Sequence, residues 1–135
     1  MTAAARPRVV LFACVHNAGR SQMAAALLNQ LAEPGRARAL SAGTQPAAHV
    51  HQGVAEVLRE VGIELGEVRP QRLTQELAAG ADLLVTMGCG EACPVIPGLR
   101  QEDWPLPDPK GQPIERVREI REEIRARVQK LLEVL

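Results

Sequence analysis

Five residues separate Cys14 from Arg20 in Cys14-Val15-His16-Asn17-Ala18-Gly19-Arg20-Ser21. A stretch of that length can curl until successive backbone N–H groups converge on a tetrahedral oxyanion, and a helix beginning at its end adds partial positive charge. Arg20 supplies a planar fork that fits two oxygens of such an anion, which the point charge of a lysine does not reproduce. A free thiol is only a few per cent ionised at neutral pH; a helix N-terminus and a guanidinium beside it favour the thiolate, so Cys14 is the predicted nucleophile. Ser21 is placed to donate its hydroxyl to that sulfur. Asn17 and Gly19 suit tight or left-handed backbone turns, and the side chain of His16 is expected to point away from the anion. Val15, His16, Asn17, Ala18, Gly19, Arg20 and Ser21 are thus the candidate oxyanion-binding residues. The competing view, a chance Cys/Arg spacing with Cys14 as a small buried apolar residue, is weakened by what flanks the loop.

Arg8 to Ala13 is a short β-branched and apolar run with Pro7 before it, the pattern of a buried parallel strand. Ser21 to Leu31 is rich in Ala, Met, Leu and Gln, with Met23, Leu27, Leu28 and Leu31 at helical spacing, and Pro34-Gly35 stops it. The loop therefore joins the end of a strand to the start of a helix, where open α/β sheets bind ligands. Further along, Arg38 to Ala42 reads as a strand, Val54 to Val61 as a helix closed by Gly62, and Leu73 to Ala78 as a short helix. Ala81 to Met87 is a second buried run expected beside the first strand, with a short strand near Gln101 to Leu106 after it. Ile114, Val117, Ile120, Ile124, Val128, Leu131 and Leu135 recur every three or four residues among Arg and Glu, an amphipathic helix packed on the sheet. Pro105, Pro107, Pro109 and Pro113 predict a stiff surface loop. The expected fold is α/β, a three-layer α/β/α sandwich on a small parallel sheet, with residues 1–135 forming one domain.

Composition narrows the function classes. Sixteen basic residues balance sixteen acidic ones, so no global field draws nucleic acid or an anionic membrane, and an anion site must be built locally. No apolar run reaches the roughly 20 residues of a membrane span, and Met1 to Arg8 lacks the apolar core of a secretory signal, so a cytoplasmic enzyme is expected. Three cysteines in such a setting suit reactive thiols better than a disulfide framework. There is no Walker-type loop, and Gly88-Cys89-Gly90 lacks the third glycine of a dinucleotide fingerprint. Cys89 and Cys93 with only His49 and His51 elsewhere do not make zinc-like ligand pairs, so no metal is expected. His49 and His51 are expected to cap a helix or face solvent, and Met87 and Trp104 to pack.

The Cys-x5-Arg-Ser loop after a first strand, with the late Asp108-Pro109 pair, resembles the low-molecular-weight protein tyrosine phosphatase fold along essentially the whole chain. Within that fold, Cys14 to Ala25, Thr86-Met-Gly-Cys-Gly-Glu-Ala-Cys-Pro94 and Asp103-Trp-Pro-Leu-Pro-Asp-Pro109 resemble bacterial arsenate reductases. The resemblance implies that arsenate is reduced to arsenite, with Cys14 as nucleophile, Arg20 as oxyanion ligand and Asp108, ahead of Asp103, as acid. It implies no bound cofactor and an external thiol reductant.

Two electrons must reach arsenic after Cys14 has bonded to it. Cys89 attacking Cys14 would release arsenite, and Cys93 attacking Cys89 would pass the disulfide outward. Four-residue spacing on a helical turn sets Cα atoms about 6 Å apart, within disulfide range. Thioredoxin-linked members commonly space these last two cysteines more widely. In members with a compact Gly-Cys-Gly-x-x-Cys-Pro segment, mycothiol, with mycoredoxin, resolves the adduct instead, so thioredoxin and a small thiol both stay open as partners. The alternative activity is a tyrosine phosphatase hydrolysing phosphomonoesters, since phosphate and arsenate share a shape. Phe12 and Trp104 are the only aromatic side chains besides histidine, and there is no Tyr, which leaves little to pack against an aryl phosphate. A non-catalytic phosphate-sensing module is the third class.

Overall fold

The apolar run after Pro7 becomes β1 (Arg8–Cys14), and its burial explains its composition: every residue from Val9 to Cys14 is shielded from solvent. Alternate side chains serve opposite faces of the sheet, as the pleat requires. Val10, Phe12 and Cys14 join the larger core, whereas Leu11 and Ala13 join the smaller one behind. The computed structural model describes residues 6–33, 35–88 and 96–135. Its remaining elements are α1 (Arg20–Leu31), β2 (Ala37–Gly43), α2 (Gln52–Arg59), α3 (Gln75–Ala79), β3 (Leu83–Thr86), β4 (Arg100–Asp103) and α4 (Ile114–Val134).

The four strands form one parallel sheet in the order β2-β1-β3-β4. Parallel neighbours need crossover helices. Helices α1, α2 and α4 cover one face, burying Met23, Leu27, Val57, Leu58, Ile120 and Ile124 against Phe12 and Val85. The short α3 covers the other face with Ala78 and Leu77 over Leu11 and Leu84. This is the three-layer α/β/α sandwich that the strand–helix alternation predicts. Phe12 packs against Trp104 with ring centroids 5.5 Å apart and planes tilted by 54°, so Trp104 and the fully buried Met87 are core residues.

Element ends differ slightly from the sequence pattern, and each difference has a local cause. Helix α2 stops before Val61 because the amides of Val61 and Gly62 turn back to Leu58 and Arg59, and Gly62 takes φ +86°. Ala81 is spent closing the turn after α3, its amide bonded to the carbonyl of Ala78, so β3 begins only at Leu83. Strand β4 ends at Asp103 because Pro105 and Pro107 have no N–H for the ladder. The last rung is Trp104 N–H to the carbonyl of Thr86, at 2.8 Å.

The rear of the sheet is fastened by Asp82. Its carboxylate accepts from the amide of Val9 at 2.8 Å and from Nη1 and Nη2 of Arg6 at 2.8 and 2.6 Å. The Arg6 hydrogen bonds, and then that from Val9, hold the Asp82 carboxyl down at about 2. A carboxyl depressed in the folded state contributes stability above its unfolded value, here 3.8, and loses it as pH falls toward about 2. Because Arg6 is largely exposed, the expected contribution is modest, about 1 kcal/mol. Asp82→Asn should therefore unfold at lower urea concentration than the parent at neutral pH, with the two midpoints converging as the buffer is taken below about pH 3.

Candidate active site

The carboxyl end of β1 releases the chain into residues 14–20 on the side where α1 begins. The carbonyls of this loop point outward and are taken one by one by the segment after β2. Thr44 N–H donates to Cys14 at 3.3 Å, Gln45 to Val15 at 2.8 Å, Ala47 to His16 at 2.9 Å and His51 to Ala18 at 2.9 Å. With their carbonyls bonded outside, the peptide units face their N–H groups inward. Among the described residues, no protein acceptor takes the amides of His16, Asn17, Ala18 or Gly19. Such a ring of free donors at a helix start is able to cradle an anion.

Asn17 fixes the shape of the ring. It is fully buried and is the one non-glycine with positive φ (50°) among the described residues. Its carbonyl oxygen Oδ1 accepts from the Gln71 amide at 2.9 Å and from Gln22 Nε2 at 3.2 Å. Its Nδ2 donates to Ser21 Oγ at 2.7 Å. Ser21 Oγ also lies 2.8 Å from Cys14 Sγ. Since Asn17 already occupies the hydroxyl oxygen as a donor, the Ser21 proton is turned toward the sulfur. Cys14 is a free cysteine, 3 % exposed.

Arg20 leaves the first turn of α1 and folds back across the cavity mouth. Its side chain is 11 % exposed, with Nη2 3.9 Å from Asp108 Oδ2 and Nη1 donating to the carbonyl of Leu106 at 3.0 Å. The guanidinium passes over Gly88 so closely that a Cβ there would lie 2.2 Å from Nη1, and Gly88 has φ +86°. Asp108 is held in its loop by accepting from the Lys110 amide at 3.0 Å. Asp103 instead accepts from Thr86 Oγ1 at 2.7 Å between β3 and β4 and does not line the cavity.

Cys14, Val15, His16, Ala18, Gly19, Arg20, His51, Gly88 and Asp108 enclose a cavity of about 350 Å³. Asn17 and Ser21 support this cavity from within the protein. Cys89 and Cys93 lie outside the described residues; Cys89 follows Gly88, a residue of the wall, by one peptide bond. Two wall residues were not anticipated. His51 reads in sequence as a helix-start histidine, and it does occupy the N-cap of α2; only the folding of residues 44–51 over the loop brings its ring to the cavity. Gly88 reads as a turn residue, and nothing in the sequence shows that Arg20 must pass over it. The described residues contain no cluster of three or more His, Cys, Asp or Glu arranged for a metal. No helix among them is long and apolar enough to cross a membrane.

Residues 9–135 match the family described as low molecular weight phosphotyrosine protein phosphatase. A putative arsenate reductase of Halobacterium salinarum is 40 % identical over 121 residues, covering 87 % of this chain and 85 % of that protein. A glutaredoxin arsenate reductase of Synechocystis is 31 % identical over 126 residues, covering 91 % and 95 % respectively. The solved structure of a thioredoxin-dependent arsenate reductase of Corynebacterium glutamicum superposes with a TM-score of 0.82 at 39 % identity. That match takes in 98 % of this chain, which spans 63 % of the length of the Corynebacterium chain.

Placing a methyl group at position 88 tests the geometry directly. Gly88→Ala should push the guanidinium of Arg20 off its seat while leaving the core intact. Phosphate binding measured by calorimetry should weaken by about tenfold or more, the loss of one charge-assisted hydrogen bond, with near-parental thermal unfolding apart from the roughly 1 kcal/mol of backbone strain.

Proposed function

The chain belongs to the low molecular weight phosphotyrosine protein phosphatase family, and from its likeness to arsenate reductases of that fold we propose that it is an arsenate reductase working through a covalent adduct on Cys14. The observation that carries this reading is the sulfur of Cys14 held 2.8 Å from the Ser21 hydroxyl at the base of an amide ring, with Arg20 closing the same cavity. Arsenate seats its oxygens on the amides of residues 15–20 and on Arg20. The Cys14 thiolate attacks arsenic, and one arsenate oxygen leaves as water with a proton from Asp108.

Reduction follows when a second thiol attacks Cys14 Sγ. The electron pair of the S–As bond stays on arsenic, which leaves as arsenite in the trivalent state, and the two sulfurs become a disulfide. Cys89 is the proposed second thiol, and Cys93 then attacks Cys89 to free Cys14 and leave a Cys89–Cys93 disulfide. An external thiol reductant closes the cycle. A thioredoxin-like protein is the favoured donor, with mycothiol and mycoredoxin as the small-thiol route, and the cytoplasm supplies the reducing setting. No bound cofactor has a role in these steps.

Phosphate has the shape of arsenate, so hydrolysis of phosphomonoesters is the second reading within the same family. Phe12 is fully buried and Trp104 is 5 % exposed, the two rings being committed to each other in the core. No aromatic wall therefore stands ready for an aryl phosphate.

Arsenite release, followed with a thioredoxin system and separately with a mycothiol system, tests the assignment. Cys14→Ser should abolish release with either donor, and Arg20→Lys should lower kcat/KM by about a hundredfold or more. Cys89→Ser should stop thioredoxin-supported turnover after adduct formation. Efficient hydrolysis of an aryl phosphate with no arsenite released would reverse the assignment.

A further inference from the structure

His51 has no part in the steps above, yet it stands in the wall of the same cavity. Its backbone is tied to the anion loop by the hydrogen bond to Ala18. Its ring lies beside Gly19, with Cδ2 3.4 Å from where a Cβ would project, and Pro109 Cγ lies 2.8 Å from the same point. The residue is half-buried. Position and backbone anchoring thus hold a titratable ring against the cradle without committing its nitrogens, since neither is hydrogen-bonded to a described residue.

We propose that His51 is a further oxyanion-binding residue, a second cationic side chain that joins Arg20 on the bound anion when its imidazole carries a proton. The inference rests on the reading of residues 14–21 as an oxyanion cradle. Burial pushes the His51 imidazole below its ordinary range, with Asp108 raising it and Lys110 and His16 lowering it further. At neutral pH the ring is therefore mainly uncharged, and acidification adds a positive charge to the wall. The charged groups around it are His16 on the anion loop, Asp108 and Lys110 on the loop after β4, and Arg20, which is drawn toward Asp108. An oxyanion bound between Arg20 and His51 supplies the negative charge that Asp108 alone otherwise offers. Its own field then favours the imidazolium.

The test needs an anion whose charge does not change over the range, and sulfate stays doubly charged throughout it. Protection of Cys14 from iodoacetamide by sulfate should be titrated in the parent, in His51→Gln and in His51→Lys between about pH 5.5 and about pH 8. Each rate is taken relative to the sulfate-free rate at the same pH. Cys14, His16 and Asp108 are present in all three proteins, so the three profiles differ through the side chain at position 51. The parent should gain about tenfold in apparent sulfate affinity over His51→Gln toward the acid end, and His51→Lys should hold the tight value up to about pH 8. Parallel profiles for parent and His51→Gln, or a lysine variant no tighter than the glutamine variant at the alkaline end, would overturn the proposal. If sulfate protects the parent at no pH, the cradle assignment fails and takes the inference with it. Because the Ala18 bond is made by the backbone of residue 51, both variants retain it, and matching circular dichroism spectra will confirm that the loop's frame is kept.

Discussion

Peptide amides do not converge on a point of their own accord; their carbonyls must be satisfied somewhere else. In this protein that condition is met by the chain leaving β2, whose amides take the carbonyls of Cys14, Val15, His16 and Ala18 in succession. The anion loop is thus a structure of two segments distant in sequence, and its cradle exists only because β1 and β2 are in register, with Cys14 opposite Gly43. Gly43 is itself forced by this closeness: a Cβ there would lie 2.6 Å from the carbonyl of Val15. Asn17 then ties the loop to a third segment through the Gln71 amide. Binding strength at such a site derives from donors oriented before the ligand arrives, so little reorganisation is left to oppose it.

Chemistry at the sulfur depends on the same frame. The direction of the Ser21 proton follows from Asn17 donating to its oxygen, and the direction of Asn17 follows from Gln22 and Gln71. A buried polar network of this kind is stable only when every member is paired. The positive φ of Asn17 is the local strain that the network holds in place.

Much of this was legible in the sequence because it depends on local pattern. The apolar run of β1, the helical spacing of Met23, Leu27 and Leu28, and the seven-residue step from Cys14 to Ser21 are all short-range features, and they place the loop between β1 and α1. The preference for Asp108 over Asp103 came from family resemblance; in the structure Asp103 is engaged by Thr86 and Asp108 faces Arg20. What stayed hidden depends on segments meeting in space. The ring of His51 reaches the wall only through the fold-back of residues 44–51, and the demand for a bare Cα at position 88 arises from a side chain 68 positions earlier in the chain. No periodicity encodes such encounters.

The lone indole of the protein has a position of practical value. Trp104 packs at a tilt against Phe12, two residues before the cavity sulfur in β1, and precedes by two residues the Leu106 carbonyl that seats Arg20. With no tyrosine in the chain, its emission is an uncontaminated optical reporter, built into the segment that links the hydrophobic interior to the guanidinium. Occupancy of the site, and any shift of that segment, is thereby open to observation in the unmodified molecule, without a label.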